Sequence, residues 1–302
     1  MPVEISVVIC SYNREKYIAD ALNSLIAQDF DRSAFEVIVV DNNSRDNTQQ
    51  VCEEIIRSNP EVSVRYLTET QQGSSFARNT GARHARGELL CFMDDDAMAE
   101  PGFLENIRRF HRAHPGVHGF GGRIIPRYIP SEPPWMSHFV SSLVGNFHYA
   151  DDVTEFSANK YPLESNMVVS KKAFDEVGGF STALPGVKGT LRIGGEGKDL
   201  YFRLKQRGYG VYYVPDMVVH HVVETDKLTP EYMYRVASGI GRGERLRITS
   251  GSFAFLKKLA EYLFKLGASF AIALFYVLKG QPKKAWPVIR FRIDVLKGFL
   301  GR

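Results

Sequence analysis

The first hundred residues alternate between short apolar runs and longer segments with helical spacing of their apolar residues. The runs are continuous rather than alternating, which is typical of strands buried on both faces. They occupy 5–10, 35–41, 62–68 and 88–94, and the helical segments between them occupy 14–28, 46–58 and 74–85. This order of strands and helices predicts an α/β fold, with a mostly parallel sheet flanked by helices.

The next hundred residues have a different pattern. Residues 121–160 are rich in proline, glycine and aromatic residues, which favours an irregular connection. A strand and a helix are expected within 166–180, and a helix over 196–207 should end at Gly208. The apolar stretch 210–221 then predicts one or two further strands.

Polar residues follow three of the predicted strands, at Ser11–Arg14, Asp41–Ser44 and Asp94–Asp96. The carboxyl ends of parallel strands meet at one edge of a sheet, where α/β folds bind their ligands. We therefore expect the three segments to line one crevice. Ser44 or Asp46 is also placed to cap the helix that follows the second strand.

Asp94, Asp95 and Asp96 are consecutive carboxylates, which repel one another unless a proton or a cation separates them. In extended chain, side chains alternate, so Asp94 and Asp96 point one way and Asp95 the other. Mg²⁺ or Mn²⁺ suits two such carboxylates because these ions take few protein ligands and complete their shell with phosphate and water. A solvated acidic turn is the alternative.

Composition excludes some classes of protein. The chain has 302 residues, with a formal net charge of +4, too small to indicate a nucleic-acid partner. The three cysteines are widely spaced in apolar context, which favours buried thiols in a reducing compartment. The first ten residues do not resemble a signal peptide, so we expect the catalytic part in the cytoplasm.

The last fifty residues are apolar and basic. Within 259–278 the only charged residues are Glu261 and Lys265, and the uninterrupted apolar part, Leu266–Leu278, makes ~20 Å of helix. A bilayer core needs roughly 20 residues, so we expect residues 253–302 to lie in the membrane interface, held by flanking Lys and Arg, without crossing. A buried helical hairpin is the alternative.

Five segments in order resemble the family 2 glycosyltransferases: "SVVICSYNRE", "VIVVDNNSRDNT", "GSSFARNTGARHARGELLCFMDDDA", "NMVVSKKAFDEVGGF" and "GGEGKDLYFRL". The resemblance covers roughly 3–225 and implies a GT-A fold. It implies an inverting transfer of a sugar from a nucleoside-diphosphate sugar, a UDP-sugar favoured, to a glycan or polyprenyl-linked saccharide. Mg²⁺ or Mn²⁺ would be the cofactor. We expect a catalytic domain at 1–225 and a membrane-associating helical region at 226–302, peripheral or monotopic on the cytoplasmic face.

The resemblance also implies the binding residues. Asp96 and His221 would hold the metal, with His221 favoured over His220 by alignment of "YVPDMVVHH", and a histidine that merely caps the strand as the alternative. The residues expected to bind the nucleotide sugar are Ser11, Asn13, Arg14, Asp41, Asn43, Arg78, Asp94 and Asp95.

The segment expected to supply the general base departs from the family pattern. Relatives commonly show acidic–acidic–x–acidic–Leu, in which the second acidic residue is often the base, whereas "EGKDL" places Gly197 there. Glu196 and Asp199 remain, and residues three apart share one face of a helix. We expect Glu196 to be the base, since a helix N-terminus stabilises a carboxylate. Asp199 is the second candidate, with a structural role as the alternative.

Three other functions are alternatives for the same residues. A Rossmann dehydrogenase needs G-x-G-x-x-G after the first strand, and "CSYNREK" has no glycine. A metal-dependent nucleotidyltransferase would open with a glycine-rich basic loop, which is also absent. A non-catalytic membrane-bound scaffold with a degenerate site stays open because of Gly197.

Overall fold

The computed structural model describes residues 2–188, 191–248 and 252–301. The contacts divide the chain into two compact units, each built from separated segments. The first unit contains 2–125, 147–185 and 196–221, and the second contains the described residues of 126–146, 186–195 and 222–301. The described residues form ten α-helices and eleven strands.

Nine strands form one sheet in the order β3-β2-β1-β4-β8-β6-β11-β5, with β7 pairing to β11 off this path. The strands of this sheet are β1 (Ile5–Ser11), β2 (Phe35–Asp41), β3 (Val64–Thr68), β4 (Leu89–Asp94), β5 (Ala97–Ala99), β6 (Gly119–Tyr128), β7 (Thr154–Glu155), β8 (Met167–Ser170) and β11 (Val211–Val223). The short strands β9 (Gly186–Lys188) and β10 (Leu191–Ile193) form an antiparallel pair.

The predicted α/β fold is confirmed. Strands β3, β2, β1 and β4 are parallel, whereas β8 pairs antiparallel to both β4 and β6. The helices are α1 (Ile18–Ile26), α2 (Thr48–Ser58), α3 (Ser74–His84), α4 (Phe103–Ala113), α5 (His138–Ser141), α6 (Lys171–Glu176), α7 (Glu196–Gln206), α8 (Pro230–Arg247), α9 (Phe253–Leu278) and α10 (Ala285–Leu300). The core of the first unit includes the apolar strand residues that predicted the sheet together with apolar residues of α1 and α4, and β2 is buried at every position.

The first helix begins later than predicted, at Ile18 instead of residue 14. The backbone N–H of Arg14 donates to the Thr48 hydroxyl, and that of Glu15 to the Asp46 carboxylate. Side chains from another loop therefore hold this segment in a turn. The prediction that Ser44 or Asp46 caps α2 was wrong, because the N-cap is Asn47, although Asp46 does accept the N–H of Thr48 at 3.1 Å.

The prediction of irregular chain from residue 121 was wrong for its first part, because β6 runs to Tyr128. Two glycines permit this strand to pack closely against its neighbours. A Cβ atom on Gly121 would lie 2.4 Å from Pro162, and one on Gly122 would lie 1.9 Å from the carbonyl oxygen of Met217. Here glycine marks close packing of backbone rather than a break in structure.

The second unit has its own apolar core, to which α8, α9 and α10 contribute. Glycines let α8 and α10 approach: a Cβ on Gly241 would lie 2.1 Å from the carbonyl oxygen of Val295, and one on Gly298 would lie 2.0 Å from that of Ser238. Helix α9 buries Tyr262, Ser269 and Ala273 and exposes most of its remaining apolar side chains. Among the described helices it alone is long and apolar enough to cross a membrane.

Candidate active site

Strand register brings the predicted crevice residues together at one edge of the sheet. Ser11 in β1 pairs with Asp41 in β2, and Cys10 pairs with Asp94 in β4. Because these strands are parallel and end at the same level, their polar ends lie side by side. The three segments predicted to line one crevice therefore do share one edge.

The loops after β1 and β2 are tied to each other. The N–H of Asn13 donates to the Ser44 hydroxyl, and the Asn13 side-chain oxygen accepts the N–H of Arg45, both at 2.8 Å. Asn13 and Asn43 both adopt positive φ, +53° and +71°. Asparagine tolerates this region better than most residues, and such conformations cluster at functional sites. These two residues shape the loops that carry Arg14 and Asp41.

Asp41 is buried at the end of β2 and accepts the backbone N–H of Ser44 at 2.9 Å. Its other oxygen accepts the hydroxyl of Tyr66. Burial and this hydrogen bond raise the pKa of Tyr66, so the phenol keeps its proton and acts as a donor. The sequence did not identify Tyr66, because a tyrosine inside an apolar strand looks like an ordinary core residue.

Asp94, Asp96 and His221 offer ligand atoms that lie within 4.8 Å of one another. The strand pairing explains how a histidine 125 residues further along reaches this place: His221 pairs with Ala97, directly after Asp96. Its Nε2 lies 3.0 Å from Asp96 Oδ1. His220 takes the other face of the strand and bonds Glu100 at 2.6 Å. The two carboxylates suit Mg²⁺ or Mn²⁺, and the imidazole adds a nitrogen ligand of the kind that transition-metal ions accept more readily than Mg²⁺ does.

Asp95 turns away from this cluster and pairs with Arg14, whose Nε lies 3.2 Å from its carboxylate. Burial raises the pKa of the Asp95 carboxyl to about 7, with Arg14 lowering it and the negative charges of Asp96 and Asp94 raising it further. Arg14 also approaches Asp96, at 3.7 Å. Asp95 and Asp96 are buried and Asp94 is partly exposed, and in this charge-rich corner an additional cation would relieve repulsion.

Arg78, on α3, connects this corner to α7. Its guanidinium lies 3.4 Å from Asp94 and 3.0 Å from Glu196, over the ring of Phe180. Burial alone would lower the pKa of Arg78, but the Glu196 and Asp94 carboxylates outweigh it, so the pKa lies above its ordinary value. The side chain is thus a fixed buried cation.

The two acidic residues expected to share a helix face have different surroundings. Glu196 is the first residue of α7, is buried, and accepts hydrogen bonds from Arg78 and from the Ser74 hydroxyl. Asp199 accepts a 2.9 Å hydrogen bond from Arg203 one turn along the helix. Arg203 in turn donates to the backbone carbonyl of Gly179. Glu196 therefore joins the acidic corner through Arg78, whereas Asp199 bonds Arg203, and Arg203 connects α7 to the loop after α6.

A further acidic residue at this corner, Glu164, was not predicted. Its Oε1 accepts the backbone N–H of Gly197 at 3.0 Å. Burial and the nearby Glu196 raise the pKa of Glu164, while Arg78 lowers it. The next residue, Ser165, donates its hydroxyl to Asp94. The segment "YPLESN" contains no second acidic or metal-binding residue that would form a recognisable motif with Glu164, so its position at the site becomes visible only in the fold.

Comparison with known proteins places these features in a family. A model of "Glycosyl transferase family 2" matches residues 6–178. A glucosyl-dolichyl phosphate glucuronosyltransferase of Haloferax volcanii is 28% identical over 226 residues, 72% of this chain and 69% of that protein. The poly(ribitol-phosphate) β-N-acetylglucosaminyltransferase TarS of Staphylococcus aureus is 34% identical over 136 residues, 43% of this chain. That match spans only 24% of the staphylococcal protein.

Solved structures show the same fold. A mannosyltransferase of Pyrobaculum calidifontis, in complex with GDP-Man and Mn²⁺, superposes with a TM-score of 0.68 at 19% identity, covering 99% of this chain and 89% of that one. Residues 1–349 of S. aureus TarS, in complex with UDP-GlcNAc, give a TM-score of 0.55 at 17% identity, covering 99% and 93%. The likeness at these identities is one of fold.

Proposed function

The chain belongs to glycosyl transferase family 2, and on that premise we propose that it moves a sugar from a nucleoside-diphosphate sugar, favouring a UDP-sugar, to a hydroxyl of a glycan or polyprenyl-linked saccharide. The observation that carries this proposal is the cluster of Asp94, Asp96 and His221 at the carboxyl edge of the sheet. It adjoins the end of β1, whose Ser11 pairs with Asp41. A group of metal ligands beside polar strand ends that can bind a nucleoside is what a nucleotide-sugar donor requires.

The nucleoside end of the donor is assigned to the ends of β1 and β2. Asp41 is a buried acceptor that would bind a base or ribose donor group, exchanging its bond with Tyr66. Ser11, Asn13 and Asn43 shape the same edge. The relatives of known structure support a nucleotide sugar as ligand, since their complexes contain GDP-Man in one case and UDP-GlcNAc in the other.

The diphosphate end is assigned to the acidic corner. Asp94, Asp96 and His221 would hold Mg²⁺ or Mn²⁺, which when bound supplies positive charge for the departing nucleoside diphosphate. Arg14 lies 3.7 Å from Asp96 and Arg78 lies 3.4 Å from Asp94, so both arginines add positive charge beside the same carboxylates. Burial strengthens such charge interactions because the surroundings have a lower effective dielectric constant than water.

The proposed reaction is a single displacement that inverts the anomeric carbon. The acceptor oxygen forms a bond to that carbon while the bond from carbon to phosphate oxygen breaks, and its electron pair leaves with the diphosphate. The acceptor's proton passes to a carboxylate at the N-terminus of α7, where Glu196 and Glu164 both lie. A positioned base contributes ~10²–10⁴-fold to such a step.

A membrane location supports a lipid-linked acceptor. Helix α9 has 26 residues, or ~39 Å, and only 17% of its most apolar 18-residue window is buried. This length admits a span as well as the interfacial position predicted from the shorter apolar run. We favour the interfacial position on the cytoplasmic face, because Glu261 and Lys265 lie within the helix. The Haloferax relative is named for a dolichyl phosphate substrate, which supports a lipid carrier.

A donor screen tests the function. Purified protein is given UDP-glucose, UDP-N-acetylglucosamine, UDP-glucuronic acid or GDP-mannose, with membrane extract and with Mn²⁺, Mg²⁺ or EDTA. We expect release of nucleoside diphosphate from at least one donor, stimulated by the extract and lost in EDTA. Protein that releases nothing from any donor and binds neither UDP nor GDP would contradict the proposal.

A further inference from the structure

The absence of a side chain at Gly197 leaves room for the carboxylate of Glu164. A Cβ atom built on Gly197 would lie 2.7 Å from Glu164 Oε1, 2.9 Å from its Cδ and 3.0 Å from its Cγ. The Glu164 side chain therefore occupies the space into which a side chain at position 197 would project. Its Oε1 also accepts the Gly197 N–H at 3.0 Å.

Glu196 is poorly suited to accept a proton from substrate. Its Oε1 accepts both the Arg78 guanidinium at 3.0 Å and the Ser74 hydroxyl at 3.2 Å. Both Glu196 and Arg78 are buried. Protonating one member of a buried ion pair leaves the other without its counter-charge, which is costly. Glu196 therefore holds Arg78 in place beside Asp94.

Glu164, unlike Glu196, is suited to accept a proton from substrate. The groups that donate hydrogen bonds to its carboxylate are neutral backbone N–H groups, and the residue as a whole is only partly buried. The charged groups that face it are Glu196, Arg78 and Asp94. Burial and Glu196 raise its pKa, and a carboxylate with a raised pKa is a stronger base.

We propose that Glu164 is the catalytic base of the transfer, that Gly197 makes the space for it, and that Glu196 is a positioning residue. This inference rests on the proposed function. In the step, the acceptor oxygen bonds to the anomeric carbon, the nucleoside diphosphate leaves with the electron pair, and the proton goes to the Glu164 carboxylate. The carboxylate that relatives often place at position 197 thus comes from the loop before β8.

A purely structural role for Glu164 makes a different prediction. If the carboxylate only accepts the N–H of Gly197 at the start of α7, its loss should lower stability and leave the chemical step unchanged. Glu164→Gln separates the two roles, since an amide oxygen still accepts that hydrogen bond but does not take a proton.

The first experiment compares Glu164→Gln, Glu196→Gln and a control, Glu176→Gln, at an exposed carboxylate bonded to Tyr209. Turnover is measured with the donor that wild type uses best in the screen, and UDP affinity is measured calorimetrically with Mn²⁺. We expect Glu164→Gln to bind UDP within about 2-fold of wild type but to lose at least ~10²-fold in kcat. Glu196→Gln should weaken UDP binding as well as kcat because it loosens Arg78, and the control should be unchanged.

The second experiment moves the carboxylate. Gly197→Asp alone should be inactive because its side chain collides with Glu164. In Glu164→Ala combined with Gly197→Asp, the three colliding atoms are gone and an aspartate carboxylate reaches the vacated position. We expect the double variant to recover at least ~10-fold in kcat over Glu164→Ala, because a base is again positioned.

Two results would overturn the inference while leaving the proposed function intact: an active wild type with near-normal kcat in Glu164→Gln, or a correctly folded double variant no faster than Glu164→Ala. A wild-type protein that transfers no sugar from any donor in the panel would instead overturn the proposed function, and this assignment with it.

Discussion

In most proteins charged side chains are exposed and large apolar side chains are buried, and the two units of this molecule depart from that rule in opposite ways. The first unit buries charge: Arg78, Asp95, Asp96 and Glu196 are each at most 7% exposed. The second unit exposes apolar surface: Phe253, Phe264 and Leu278 on α9 are more than three-quarters exposed. Buried charges and large exposed apolar patches are the informative exceptions in proteins. The proposed function gives each exception a ligand: a cation with a diphosphate for the first unit, and lipid for the second.

The largest effect is expected from the acidic corner. Asp96→Ala removes a proposed metal ligand and should lower activity at least ~10³-fold, because charge on the departing diphosphate loses its main stabilisation. The fold should persist, since the substitution also removes repulsion with Asp94 and Asp95. Transfer rate and thermal midpoint measure the two outcomes. Glu100→Gln, which loosens His220 on the opposite face of the strand, is the control and should retain activity.

The exposed face of α9 should give the next largest effect. Phe264→Glu combined with Phe270→Glu removes two insertions, each worth about 1.5–3 kcal/mol, and should weaken vesicle binding at least ~10²-fold. These positions are 77% and 57% exposed, so the core of the second unit should stay intact. Val153→Glu, at an exposed apolar position of the first unit, is the matched control. Unchanged sedimentation of the double variant with vesicles would show that α9 does not meet lipid.

A smaller effect is expected from Asp41, whose substitution tests nucleotide binding alone. Asp41→Asn keeps the shape but removes the charge, and should weaken UDP binding about 10-fold, the range of a charge-assisted hydrogen bond. Calorimetry with UDP measures the change. Asp216→Asn, which affects an exposed pair with Arg109, serves as the control. Equal UDP affinity in the Asp41 variant and wild type would show that the nucleoside does not bind at this edge of the sheet.

The smallest effect is expected from the basic residues after α9. Lys279 and Lys283 are exposed, and each contributes about 1 kcal/mol near an anionic surface. Replacing either one by Gln should weaken binding to vesicles rich in phosphatidylserine about 5-fold and leave binding to neutral vesicles unchanged. High salt should likewise weaken wild-type binding only in part, because apolar insertion persists when charges are screened. Equal loss on both kinds of vesicle would argue against an electrostatic contribution.

Local patterns predicted the fold well. The continuous apolar runs located β1 to β4, and the parallel register followed from strand and helix alternation. Two predictions from local sequence were wrong. The glycines of β6 indicated a loop where the structure has a strand, and the start of α1 was predicted too early. Both outcomes depend on partners distant in sequence, namely Met217 against Gly122 and Thr48 against Arg14.

The site was predictable where a strand end carried the signal. Asp94 and Asp96 were expected on one side and lie together, and the strand alternation of His220 and His221 places His221 with them. Glu164 and Tyr66 gave no such signal, because their importance lies only in which groups they contact. The roles of all these residues in catalysis and binding stay predictions.

The most direct test is uptake of Mn²⁺ by the full chain, followed by electron paramagnetic resonance with and without UDP. The proposed site predicts one Mn²⁺ bound per chain when UDP is present, weaker uptake without UDP, and loss of that signal in His221→Ala. Mn²⁺ uptake that is the same in His221→Ala, or UDP binding that is unaffected by excess EDTA, would contradict the metal site at Asp94, Asp96 and His221.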